Sequence, residues 1–144
     1  MTETTLDKVS QKVGNLFNKG FAAFEHGNLD YAIDLLFTCV EIEPGLLQAR
    51  KFLRAAEIQK YKQKKFNPLS RIISMITSFP LYLNTMAMIT SRKTEQALVS
   101  AEKLLRINPL NPKFVKIFAQ ASANADLPET AIQTLEIARD HCPD

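Results

Sequence analysis

Tryptophan is absent from this 144-residue chain, glycine occurs four times and cysteine twice. With glycine so scarce and β-branched runs so short, a chain of tight hairpins is excluded, and the fold class read from the sequence is all-α. A large charge of one sign is also missing: the net charge of +3 is too mild to indicate a nucleic-acid partner. The opening stretch MTETTLDKVSQKVGN carries charges where a secretory signal would carry an apolar run, so no such signal is expected. Cys39 and Cys142 lie far apart in sequence, and Cys39 falls among apolar helical positions. A buried free thiol, and not a disulfide, is expected there, which suits a reducing compartment; the expected location is cytoplasmic.

Catalytic motifs are missing too. There is no GxGxxG, no phosphate loop and no HExxH, and Gly14, Gly20, Gly27 and Gly45 are dispersed. His26 precedes Gly27 at a predicted helix end, where a donor or cation suits the helix dipole. His141-Cys142 offers two potential metal ligands with no second pair, whereas a zinc site takes about four. Glu41 and Glu43 bracket Ile42 and read as a solvated face. The chain is therefore predicted to be no enzyme, with no catalytic residue, no cofactor and no metal site.

What the sequence does contain is amphipathic helical patterning, with 46% hydrophobic residues, enough for a packed core. It is clearest in Leu16 to Pro44, LFNKGFAAFEHGNLDYAIDLLFTCVEIEP. Leu16, Gly20, Ala23, Phe24 and Gly27 recur at three- and four-residue steps and share one helical face. Ala32, Leu35, Leu36, Cys39, Val40 and Ile42 do the same on a second helix. Small residues, Gly20 and Ala23 on one and Ala32 and Cys39 on the other, stand where the two helices approach. Gly27-Asn28 marks the turn and Pro44 the end.

The second half of this unit recurs. Ala32 and Pro44, Ala97 and Pro109, and Ala131 and Pro143 are each 12 residues apart, and both Ala97 to Ala131 and Pro109 to Pro143 are steps of 34. Around each Ala the apolar partners return: Ile33 and Leu36, Leu98 and Ala101, Ile132 and Leu135. In residues Leu16, Gly20, Gly27-Asn28, Leu29, Ala32, Leu36, Cys39 and Pro44, and in this period, the chain resembles the tetratricopeptide-repeat family. The resemblance implies one domain over residues 1–144, an α-α superhelix (solenoid) of about four helix pairs: 13–46, 47–77, 78–111 and 112–144. The second pair is degenerate, inferred from the spacing of 65 between Ala32 and Ala97. It would comprise a long helix from Leu47, broken at Asn67-Pro68, and a second helix LSRIISMITS. A third pair would begin at Phe79-Pro80, with Pro80 near the helix start and Thr94 as the next N-cap, and Arg92-Lys93 replacing the Gly-Asn turn. The fourth would start at Asn111-Pro112 and turn at Ala125-Asp126-Leu127-Pro128.

The resemblance also implies the job: a non-catalytic adaptor or scaffold that binds a protein or peptide in a concave groove lined by the first helix of each repeat. The groove positions that follow are Phe17 and Phe21, Lys51, Tyr82 and Met86, and Lys113, Lys116 and Gln120. Phe17, Phe21, Tyr82 and Met86 would supply affinity for a short apolar motif or amphipathic helix, and the lysines a bias towards acidic flanks. The Lys-rich pattern with which some family members hold a terminal carboxylate is replaced here by Phe17, Phe21, Tyr82 and Leu83.

Two other surfaces are read from the sequence. Arg50 to Arg71 gathers eight basic residues against Glu57 alone; a solvated helix is preferred to a nucleic-acid or lipid site, because the lysines do not share one face. The basic run and the Met-rich segment after it, residues 60–89, form the alternative: a peripheral membrane-associated module. Core packing between repeats accounts for the same residues and is preferred. Finally, the row Ala131, Ile132, Leu135 and Ala138 has no capping helix after it, which implies either a homodimer through that end or a longer parent chain.

Overall fold

The computed structural model describes residues 1–64 and 67–141. Among them there is no strand, only an isolated bridge between Thr4 and Leu46, and seven α-helices. These are α1 (Gln11–Glu25), α2 (Leu29–Ile42), α3 (Leu47–Gln63), α4 (Pro68–Thr90), α5 (Thr94–Ile107), α6 (Pro112–Asn124) and α7 (Pro128–His141), preceded by a 3-10 turn at Leu6–Lys8. They divide into two compact units, Met1–Lys60 and Tyr61–Asp144, the boundary falling inside α3.

In the first unit, α1 begins at Ser10, whose hydroxyl accepts from Val13 N–H, and α2 begins at Asn28, whose side-chain oxygen accepts from Tyr31 N–H. Gly20 is where α1 meets α2. A Cβ there would lie 2.8 Å from Leu36 Cγ, so glycine is required by the close approach. Val13, Phe17, Ala23, Ala32, Ile33, Leu36, Cys39, Val40, Leu53 and Ala56 form one buried core. Gly45 serves a different purpose: a Cβ there would collide with Thr2 O at 1.9 Å, because the N-terminal segment lies across it and Thr4 N–H donates to Gly45 O at 2.7 Å.

In the second unit, α5, α6 and α7 bury Ala97, Leu98, Ala101, Leu104, Leu105, Val115, Phe118, Ala121 and Leu127. Asn111 caps α6 by accepting from the N–H groups of Lys113 and Phe114. Onto this core α4 brings only partly buried apolar residues, Leu81, Tyr82, Met88 and Ile89. Its two fully buried side chains are Ser78 and Thr85, and Thr85 is joined to Ser100 of α5 by a hydroxyl–hydroxyl bond of 2.5 Å.

Three turns repeat one another. Gly27, Arg92 and Asp126 all have φ between 58° and 78°, the left-handed region. In each, the next residue's N–H reaches back to a carbonyl five residues earlier: Asn28 to Ala23, Lys93 to Met88, Leu127 to Ser122. This is the Schellman closure of a helix, and Arg92 and Asp126 stand 34 residues apart.

Several sequence expectations are corrected. There are seven α-helices where eight were expected, because residues 69–78 and 80–90 belong to the single 23-residue helix α4, with Pro80 inside it. Ser78 would cap a helix starting at Pro80; instead its hydroxyl donates back to Met75 O at 3.2 Å, as Thr77 does to Ser74 O at 3.1 Å. Thr94 is the first residue of α5, not its cap; the cap position is Lys93, which offers no side-chain hydrogen bond. Arg50 and Arg54 leave the expected basic surface, each 2% exposed, Arg54 paired with Glu57 at 2.5 Å. Lys60 pairs with Asp30 of α2. Lys65 of the basic run, Cys142 and Pro143 lie outside the described residues.

Candidate partner-binding grooves

The face of α6 that carries Lys113, Lys116, Ile117 and Gln120 repeats at three- and four-residue steps, and α4 carries Tyr82, Met86, Ile89 and Thr90 in the same way. The second unit sets these two faces side by side, and together they line an open groove of about 220 Å³. Five of the eight residues assigned to a groove from the sequence, Tyr82, Met86, Lys113, Lys116 and Gln120, therefore converge on one place. Tyr82 is anchored by its ring, 6.0 Å from the ring of the core residue Phe114. Met86 is exposed, and so are both lysines and Gln120. Among the described residues no acidic side chain lines the groove, and its two lysines stand beside an apolar strip of Tyr82, Met86, Ile89 and Ile117.

The other three residues lie in the first unit and are placed differently. Phe17 is 6% exposed and belongs to the core. Its ring stacks on Phe21 at 6.1 Å, and both rings meet Phe52 of α3 edge-on, Phe21 at 4.9 Å. Phe24 joins the same cluster at 5.9 Å from Phe52. The aromatic richness that the sequence points to is thus spent on holding α1 against α3, a packing worth about 0.5–1.5 kcal/mol per ring pair beyond simple burial. Lys51 is exposed, with its ammonium 5.9 Å from the centre of the Phe52 ring.

A second and larger cavity, about 980 Å³, was not anticipated. Its walls are the first half of α4, from Pro68 to Ser78, the turn with Asn108 and Asn111, and Tyr61, whose hydroxyl accepts from the Asn108 amide at 3.3 Å. Ser70, Ser74 and Ser78 turn the same face of α4 towards it. That four-residue serine step was legible, but it means an inward polar face only if α4 continues through Pro80.

His26 Nδ1 lies 2.7 Å from Ala22 O at the end of α1, and Lys62 Nζ lies 3.0 Å from His141 Nδ1. Among the described residues, no three or more His, Cys, Asp or Glu side chains are grouped as a metal site would need. Cys39 is buried and free, its thiol 3.7 Å from Val13 O, and burial pushes it up from the ordinary 9.0 to about 11. Ile132 and Leu135 of α7 are exposed, while Ala131 and Ala138 are half-buried.

No family model, curated protein or solved structure matches the chain.

Proposed function

We propose that this chain is a non-catalytic interaction module of the tetratricopeptide type, which docks a peptide segment or amphipathic helix of a partner protein in the groove between α4 and α6. The observation that carries the reading is the convergence of Tyr82, Met86, Lys113, Lys116 and Gln120 on that groove. The repeat assignment is supported by the three like turns at Gly27, Arg92 and Asp126, the last two one 34-residue period apart.

The mechanism is ordinary docking. Apolar side chains of the ligand would cover Met86, Ile89 and Ile117, the Gln120 amide would orient its backbone, and the two lysines would favour acidic residues beside the apolar anchors. Charge–charge contributions at such an open site are modest, so the apolar strip supplies affinity and the lysines supply selectivity and association rate.

Selection from a displayed peptide library on the immobilised protein tests this. The expected winners pair one or two large apolar residues with neighbouring Asp or Glu. Met86→Glu should abolish their binding, and Lys113→Glu with Lys116→Glu should weaken it about tenfold or more and erase the acidic preference. Winners whose binding ignores all three substitutions would place the site elsewhere.

A further inference from the structure

Helix α4 is built inside-out. Leu69, Ile72, Ile73, Ile76, Phe79 and Leu83 are each between 49% and 66% exposed. At 3.6 residues per turn they fall within about 120° of arc, a continuous apolar stripe along about four turns of helix. The side chains opposite that stripe, Ser78 and Thr85, are buried against the second unit's own core. A soluble helix of this length would normally turn its large apolar residues in and its hydroxyls out. By length and composition α4 is also able to cross a bilayer.

Charge singles out what covers the stripe. From Tyr61 to Thr94 the sequence has six basic residues, Lys62, Lys64, Lys65, Arg71, Arg92 and Lys93, and no Asp or Glu. The net charge of +3 is thus +6 in this stretch and −3 in the rest of the chain. In sequence the cations flank the stripe: Lys62 and Lys64 before its start and Arg92 and Lys93 just beyond its end, all exposed, while Arg71 stands in its first turn on the face that lines the larger cavity. A second copy of the chain is a poor match. Parallel pairing of two α4 helices would set Lys62, Lys64 and Arg71 against themselves, and antiparallel pairing would set them against Arg92 and Lys93.

We propose that the apolar face of α4 lies in the plane of an anionic lipid surface, with the stripe in the headgroup–acyl boundary and the basic residues at its two ends on the headgroups. The helix lies flat and does not span. Its opposite face is committed to protein through the Thr85–Ser100 bond and the Tyr82–Phe114 ring pair, so lipid cannot surround it without dismantling the second unit. Met86 of the α4–α6 groove lies three residues beyond Leu83, so the two surfaces adjoin. The peptide reading is nevertheless tested by its own residues, Met86, Lys113 and Lys116, none of which is altered in the lipid experiments.

The chain contains no tryptophan, so Phe79→Trp provides a single reporter within the stripe. Its emission should shift to the blue on vesicles of phosphatidylcholine with about one third phosphatidylserine, and hardly at all on phosphatidylcholine alone. Lipids brominated near the headgroup should quench it more than lipids brominated at the chain ends. Co-sedimentation of the wild-type chain with the same anionic vesicles should fall steeply with salt. Ile73→Glu with Ile76→Glu should reduce it more than tenfold while the circular dichroism of the free protein is unchanged, since both residues are exposed. Lys62→Ala, Lys64→Ala and Lys93→Ala together should reduce it about 30-fold or more, at roughly fivefold or less for each headgroup contact. Failure of the wild-type chain to sediment with anionic vesicles overturns the proposal. So does a dimer in light scattering that Ile76→Glu dissociates while vesicles are ignored, which would make a second copy the occupant. Strongest quenching from chain-end bromines would overturn the in-plane placement.

Discussion

At the scale of single residues, Cys39 shows what burial does to a reactive group. Its thiol sits among Val13, Ala32 and Leu36 in the core and is held up to about 11, so almost no thiolate exists at neutral pH. Labelling by a disulfide reagent at pH 8 should therefore be slow in the native protein and fast in denaturant. The linkage has a definite sign. The folded thiol holds its proton to a higher pH than the unfolded one, so its contribution is intact below pH 9 and is lost as pH rises through about 11. A Cys39→Ala variant should remove that alkaline loss, read as the pH dependence of urea unfolding between pH 8 and 11. Arg92 and Asp126 carry a different residue-scale cost, since a side chain at positive φ is strained by about 1 kcal/mol. Arg92→Gly and Asp126→Gly should each stabilise the protein by a few tenths to about 1 kcal/mol in denaturant titrations, because the turn asks only for the backbone angle. Where the left-handed residue is not glycine, local composition does not announce the turn: Gly27 is readable by itself, while Arg92-Lys93 is placed as a turn only by its position in the repeat.

At the scale of elements, α4 marks the limit of what local patterns reveal. The other helices are legible because apolar residues recur at three- and four-residue steps and Asn28, Asn111 and Pro112 stand at their starts. Ser78-Phe79-Pro80 also satisfies every local condition for a helix start. What decides against it is non-local: Ser78, Tyr82 and Thr85 sit on one face that the second unit's core covers along its length. The same limit explains the groove residues. The tetratricopeptide resemblance, laid on the helix periodicity, assigns Tyr82, Met86, Lys113, Lys116 and Gln120 to a groove together with Phe17 and Phe21. Placing the last two in the aromatic cluster needs the position of Phe52 on α3, a contact between two helices that no local pattern contains. Pro80 carries a measurable penalty, since it has no N–H to offer the carbonyl of Ile76. Replacing it by Ala should raise stability by about 1–3 kcal/mol with no loss of helical circular dichroism; a loss of stability would mean the ring itself is required.

At the scale of the whole molecule, apolar and charged residues are unevenly shared. The first unit packs Phe17, Phe21, Phe24, Phe37 and Phe52 into or against its core and ties Arg54 to a buried carboxylate, while the second leaves the stripe of α4 and residues Ile132 and Leu135 of α7 open. Repeat architectures tolerate such faces where neighbours or ligands cover them. The segment Ile72 to Thr77, IISMIT, is uncharged and rich in β-formers, the composition that stacks into fibrils once its backbone is freed from a helix. It is fenced on one side by Pro68 and Arg71 and on the other by Pro80, residues that cannot join, or that repel neighbours in, a cross-β stack. A proline that weakens the native helix thereby guards the unfolded chain. The Pro80→Ala protein, though harder to melt, should precipitate sooner once it has melted.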